Sequence, residues 1–129
     1  MSDEALTYQE FTTKLKGGDY KKIYILTGAG ISVSAGIPDF RSPGTGLYDN
    51  LKEYDLPFAE AIFTIDYFQK KPEAFYKLAQ GFLDMDKFEA TPTHHFCKLL
   101  DDKKYLQKYL TQNIDNLEEK AGFKREDIV

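Results

Sequence analysis

The chain has 129 residues, 42% hydrophobic and 29% charged, with a net charge of −4, which is the makeup of one globular domain or part of one. Lysine and arginine are scattered, so there is no basic footprint for DNA or RNA, and no apolar run is long enough to span a membrane. Cys97 is the single cysteine, which excludes an internal disulfide, and two adjacent histidines do not supply a zinc-ligand spacing. A reducing compartment, cytoplasmic or nuclear, fits this usage, and the polar first twenty residues show no signal-peptide core.

"EALTYQEFTTKLK" (4–16) sets Leu6, Tyr8, Phe11 and Leu15 at near-helical spacing, and Gly17-Gly18 ends that helix. Ile23 to Leu26 predicts a strand covered on both faces, the environment that consecutive apolar residues suit. Residues 36–46, with Pro38, Pro43, Gly44 and Gly46, read as a loop. The stretch from about 47 to 103 is mostly helical and amphipathic, and offers Ile62, Phe63, Ile65 and Phe68 for burial. Pro72 opens the helix of "PEAFYKLAQGFL", and Thr91 caps a helix that runs from Pro92 through Leu100. "KYLQKYLTQN" is the second strand candidate, "IDNLEEKAG" is a short helix closed by Gly122, and "EDIV" begins a third strand.

The chemistry concentrates in "ILTGAGISVSAGIPDFRS". A strand, a glycine turn and a helix start let backbone approach a phosphate while the helix N-terminus offers N–H groups. Gly28 and Gly30 fill two positions of G-x-G-x-x-G, Val33 stands at the third, and no acidic residue ends a second strand about twenty residues on. Taken alone, the turn reads either as a dinucleotide loop or as a structural turn. In the following loop, Asp39 can anchor backbone N–H groups, Phe40 can cover a flat heterocycle and Arg41 can fork onto a phosphate. A surface loop with one ion pair and one buried ring is the plainer reading of the same residues.

"GAGISVSAGIPDFRS" together with "TQNIDNLE" resembles the sirtuins, the NAD-dependent protein deacylases, and their class I branch in particular. "GLYDNL", "LPFAEAIFTIDYF", "PEAFYKLA" and "PTHHF" extend the resemblance over about residues 21–129. The resemblance implies an α/β fold: a partial Rossmann-like parallel sheet with an inserted helical segment at about 47–103, after an N-terminal helical extension over 1–20. It also implies that Gly28, Ala29, Gly30, Ile31, Ser32 and Val33 line an NAD site. By the same resemblance Asp39, Phe40 and Arg41 form the flexible cofactor loop, with Phe40 shielding the nicotinamide side and Arg41 steadying the ribose-phosphate. Gln112, Asn113, Ile114 and Asp115 would close the pocket. Asp115 would accept from the nicotinamide carboxamide, and Asn113, the one catalytic residue carried over, would orient the ribose or a water.

The implied activity moves the acetyl group of acetyl-lysine, on a histone or another protein, to ADP-ribose with release of nicotinamide, chemistry counted among transferases or hydrolases. No nucleic-acid or membrane partner is implied. The family's general-base histidine, its four zinc cysteines and its later strands are expected beyond Val129. Structural zinc belongs to the full-length protein and no metal ligand is expected here. The chain alone is then expected to be inactive, poorly soluble, loosely packed and weak toward NAD; a natural short isoform that binds NAD or a partner without catalysis is the alternative. Adjacent histidines on a helix point about 100° apart, so one of His94 and His95 is expected to pack inward and the other to be solvated. The resemblance puts the inward one at His95. Cys97 is expected to be a small buried hydrophobe.

Overall fold

The computed structural model describes residues 5–51, 56–80 and 85–129. Strand β1 (Ile23–Thr27) pairs in parallel with strand β2 (Leu106–Thr111), and 78 residues, 28–105, lie between them. Past a register shift between Ile23 and Tyr24, the strands run level and end with Thr27 opposite Thr111. Both carboxyl ends therefore release their loops side by side, the place where open parallel sheets present a ligand crevice. Ile128 extends the sheet by an isolated parallel bridge to Tyr109, so the expected third strand is seen at its start.

Helix α1 (Tyr8–Gly17) is fixed at its start by a capping box in which Thr7 and Glu10 satisfy each other's backbone N–H groups, and Gly18 closes it. None of its residues is buried. The segment after β1 is a 3-10 helix over Ala29–Ala35, where an α-helix start was expected. Gly36 ends it at φ +98°, a conformation that side chains other than glycine seldom adopt. The loop then turns back on itself: a Cβ on Gly46 would stand 2.7 Å from the Ser42 nitrogen.

The insertion contains helix α2 (Leu47–Asn50), a 3-10 turn over Ala59–Phe63, helix α3 (Ile65–Lys70) and helix α4 (Pro72–Gln80). Its own apolar centre is Leu47, Leu51 and Ile62, with Tyr48, Leu56, Ala74 and Leu78 around them. Of the four residues offered for burial only Ile62 is fully enclosed; Phe63 and Ile65 are exposed and Phe68 is half-buried. Phe68 instead packs edge-on to Phe75 across the α3–α4 junction. The end of the "PEAFYKLAQGFL" helix falls outside the described residues.

Helix α5 (Pro92–Asp102) starts as expected, with Thr91 as cap and Pro92 in the first turn, and lies against β2. The chain closes with helix α6 (Leu117–Lys120) and a 3-10 turn over Arg125–Asp127. Cys97, Tyr109, Ala121 and Phe123 form the core between α5, β2 and α6, and Tyr109 packs on Phe123 at 4.8 Å. The strand expectation needs correction at β1. Only Thr27 is buried, Ile23 and Ile25 are half-buried, and Tyr24 and Leu26 are 65% and 67% exposed. Alternation of that kind belongs to a strand with one covered face among the described residues.

Candidate functional site

Two loops meet at the carboxyl ends of β1 and β2. Ser32, one turn into the 3-10 helix, donates its hydroxyl to Asp115 Oδ2 at 2.6 Å, and both residues are buried. Asn113 Nδ2 donates to the Gly28 carbonyl at 3.2 Å and to Ser32 Oγ at 3.4 Å. Asp115 Oδ1 accepts from the Leu117 N–H at 3.1 Å, so the carboxylate also seats the start of α6. Asn116 enters that helix with φ +59°, a value that asparagine tolerates better than most residues.

These contacts enclose a cavity of about 120 Å³, lined by Ala29, Ser32, Ile37, Phe40, Asp115 and Phe63 among others. Gln112, Asn113 and Ile114 also face it. The walls are largely apolar, while the Asp115 carboxylate and the Asn113 amide give it two polar groups, the usual makeup of a small-ligand pocket. Phe40, 44% exposed, lies at its rim, edge-on to Phe63 at 5.9 Å and tilted against Tyr48 at 5.8 Å. On its other side Asn113 lines a second cavity of about 290 Å³ with Thr111, Asn116, Glu118 and Val129.

Asp39 organises the loop. Its carboxylate accepts from the Ser42 hydroxyl at 2.6 Å and the Ser42 N–H at 3.0 Å, and these bonds hold it below the usual carboxylate range. Leu47 N–H and Tyr48 N–H return to the Asp39 and Phe40 carbonyls, which ties the loop to α2. Arg41 is exposed, with its guanidinium 6.0 Å from the Tyr48 ring centre. Arg41, Asp39 and the exposed Gly30 and Val33 do not line the cavity, and neither do Gly28 and Ile31, which lend it backbone.

Behind the cavity stands a second polar layer. The Thr91 hydroxyl lies 3.0 Å from the Ile31 carbonyl and 2.7 Å from His94 Nδ1, and the Thr91 N–H donates to that same nitrogen at 3.2 Å. His94 is fully enclosed, and one of its ring nitrogens, Asp115 and Glu118 offer atoms all within 4.8 Å of one another. Burial holds the His94 ring below its ordinary pKa, against an opposing pull from Glu118 and Asp115. Tyr109 hydroxyl donates to Glu118 Oε1 at 3.4 Å and accepts from Thr27 at 3.1 Å, and burial keeps that phenol protonated far above its usual range. Burial likewise raises the Cys97 thiol, so it stays protonated and inert. The histidine expectation needs correction: His94 is the enclosed one and His95 is exposed. The reason is helix phase, since Cys97 and Leu100, at three and six residues from His94, are buried on the same face.

The Sir2 family profile matches residues 28–129, from the glycine turn through β2, α6 and the start of the third strand. The chain belongs to the Sir2 family. It is 50% identical over 120 residues to the NAD-dependent protein deacetylase hst2 of Schizosaccharomyces pombe, covering 93% of this chain and 36% of that protein. It is 51% identical over 126 residues to the NAD-dependent protein deacetylase sirtuin-2 of Danio rerio, covering 98% of this chain and 33% of that protein. The mouse NAD-dependent protein deacetylase sirtuin-3 is 41% identical over 128 residues, covering 99% of this chain and 38% of that protein. The chain thus spans about a third of the length of the curated relatives it matches.

Within this Sir2-family segment, sequence reading missed Thr91, Glu118 and Tyr109 as parts of the site, and Ile37, Leu47 and Phe63 as its walls. Glu118 lies on α6 while Asp115 precedes its cap Asn116, so helix spacing does not announce that the two carboxylates meet. Leu47 and Phe63 carried no signal, because they come from the insertion and meet the turn only through tertiary packing.

Proposed function

We propose that this chain forms the nicotinamide-facing part of an NAD-dependent protein lysine deacetylase. The observation that supports the reading most is the direct Ser32–Asp115 hydrogen bond at 2.6 Å, with Asn113 reaching Gly28 at 3.2 Å. Through these bonds the glycine turn and the "TQNID" segment act as one site.

The residues fit NAD. Nothing lies within 4 Å of where a Cβ on Gly30 would stand, so a phosphate has open approach to that backbone. The first N–H groups of the 3-10 helix have no partner inside it and face an incoming anion. Each Asp115 oxygen accepts one protein hydrogen bond and retains a lone pair for the amide of a nicotinamide ring. Bound NAD supplies the scissile ribose–nicotinamide bond and the ADP-ribose acceptor for the acetyl group of an acetyl-lysine protein. Asp115 orients the carboxamide, Phe40 shields the ring from water, and Asn113 holds the ribose or a water from the floor of the turn. Arg41, exposed at the loop tip, takes a phosphate in fork geometry. Fixing the leaving group in a water-poor pocket favours its departure.

The test compares this chain with the same chain continued through the remaining gene sequence. Nicotinamide release and acetyl-peptide turnover are followed with NAD present. The continued chain is expected to release nicotinamide in step with deacetylation, and the 129-residue chain to turn over neither. A continued chain that releases no nicotinamide with NAD and acetyl-peptide overturns the reading.

A further inference from the structure

The second polar layer has a feature that neither the turn nor the cavity requires. His94 Nε2 is buried and has no hydrogen-bond partner, although the ring sits beside two buried carboxylates. A buried polar atom left without a partner is costly, and its presence calls for a reason.

The neighbours of the ring decide where its proton lies. The backbone N–H of Thr91 can only donate, and it points at Nδ1. The Thr91 hydroxyl gives its one proton to the Ile31 carbonyl, 3.0 Å away, so the backbone N–H is the donor that assigns Nδ1. Nδ1 is therefore an acceptor, and the single proton of the neutral ring sits on Nε2. A bare Nε2 would set a lone pair against Asp115 and Glu118, whereas an Nε2–H sets a positive dipole against them. Thr91 belongs to the cap of α5 and also touches the Ile31 carbonyl, so the orientation of the ring is tied to the glycine turn. Asp115 is exposed over only 6% of its surface and Glu118 over 2%, so solvent does little to steady either carboxylate.

We infer that His94 and Glu118 are positioning residues that hold the Asp115 carboxylate in its nicotinamide-binding orientation, with the Nε2–H of His94 directed at the acidic pair and Glu118 fixed from behind by Tyr109. This inference rests on the proposed nicotinamide role of Asp115. Ser32 and Leu117 N–H hold the two Asp115 oxygens from the cavity side and from α6. His94 faces the same carboxylates from α5, with a ring nitrogen within 4.8 Å of an oxygen of each. The charged and titratable groups that act on the ring are Glu118 and Asp115 on the α6 side and His95 on α5 itself. No atom of His94 lines the cavity, so it acts through Asp115 and not on the ligand.

The experiment uses the chain continued through the remaining gene sequence, with nicotinamide as the probe. Nicotinamide inhibition of NAD-dependent turnover is compared with the KM for acetyl-peptide. His94→Leu is expected to weaken nicotinamide inhibition about tenfold, with the peptide KM unchanged. His94→Gln, whose amide N–H can stand in for Nε2–H, recovers part of the loss, and Glu118→Gln weakens inhibition several-fold. Wild-type nicotinamide sensitivity in His94→Leu, beside a clear loss in Asp115→Asn, overturns this inference alone. No loss in Asp115→Asn overturns the nicotinamide reading as well. Long-range proton–nitrogen spectra of the unmutated protein decide the matter even where His94→Leu does not fold. The His94 signals are assigned by their absence in His94→Gln; protonation at Nε2 supports the inference, and protonation at Nδ1 overturns it.

Discussion

The junction at the strand ends and the centre of the helical insertion are built from opposite materials. All six of the buried polar or charged residues among those described, Thr27, Ser32, Thr91, His94, Asp115 and Glu118, belong to the junction. The α2–α4 part of the insertion encloses Leu47, Leu51 and Ile62, and the side chains buried there among the described residues are apolar. Apolar burial is non-directional and tolerates shifts of position, whereas a buried hydroxyl or carboxylate is stable only when its partner stands at one distance and angle. The junction therefore fixes geometry, and the insertion supplies a wall that carries Phe63 and Leu47 to the cavity. Helix α1 is a third kind of region: it buries nothing and rests on its own caps.

The sharpest way to break the contrast is Asp115→Ala. It leaves the Ser32 hydroxyl and the Leu117 N–H without their acceptor in a closed site, at about 4 kcal/mol for the two. Urea unfolding should show that loss, and nicotinamide binding should disappear with it. Ile62→Ala removes a fully enclosed side chain from the other centre and should cost about 3 kcal/mol. Its amide spectrum should change over α2 to α4 and leave Ser32 and Asp115 in place; movement at Ser32 would mean that the two regions are one packing unit.

Gly46→Ala presses a methyl group against the Ser42 backbone and should cost about 2 kcal/mol. The loop from Asp39 to Tyr48 should open, with Phe40 losing its contact with Phe63, which aromatic proton spectra at the rim would register. Thr7→Ala breaks the capping box of α1 and should cost about 1 kcal/mol, measured as helix content, with no effect at the site. The mildest perturbation is pH. Folding lowers the His94 pKa from its ordinary 6.5, so the unfolded chain takes up the proton first as pH falls. Stability from this group is complete above 6.5 and declines as pH drops through the window below it. His94→Gln should flatten that part of the urea midpoint against pH, and an unchanged slope would show that the ring does not contribute.

The fold was legible where local chemistry determines it. The cap at Thr91 and Pro92 and the glycine close at Gly122 are decided by a few neighbouring residues. Leu106, Tyr109, Leu110 and Thr111 mark β2 as a strand in the same local way. The errors lie where burial depends on distant partners. Tyr24 and Leu26 look like core residues in a run, yet the described residues leave that face of β1 open. Phe63 serves the cavity rim and not the centre that its neighbour Ile62 fills, because a 3-10 turn sends adjacent side chains in different directions. Choosing between His94 and His95 needed the phase of α5 against β2, which a pair of identical letters does not contain.

The sequence by itself determined the turn residues, the caps, the strand runs and the two motifs that mark the Sir2 family, since each depends on side chains within a few positions of one another. The tertiary structure decided that Ser32 meets Asp115, that His94 faces two carboxylates, and that the insertion walls the cavity. The contacts between the glycine turn and its partners join residues 60 to 85 positions apart, as Thr91 to Ile31, Ser32 to Asp115 and Asn113 to Gly28 do. They exist because parallel pairing sets the ends of β1 and β2 level, a relation that no local stretch of the chain can specify.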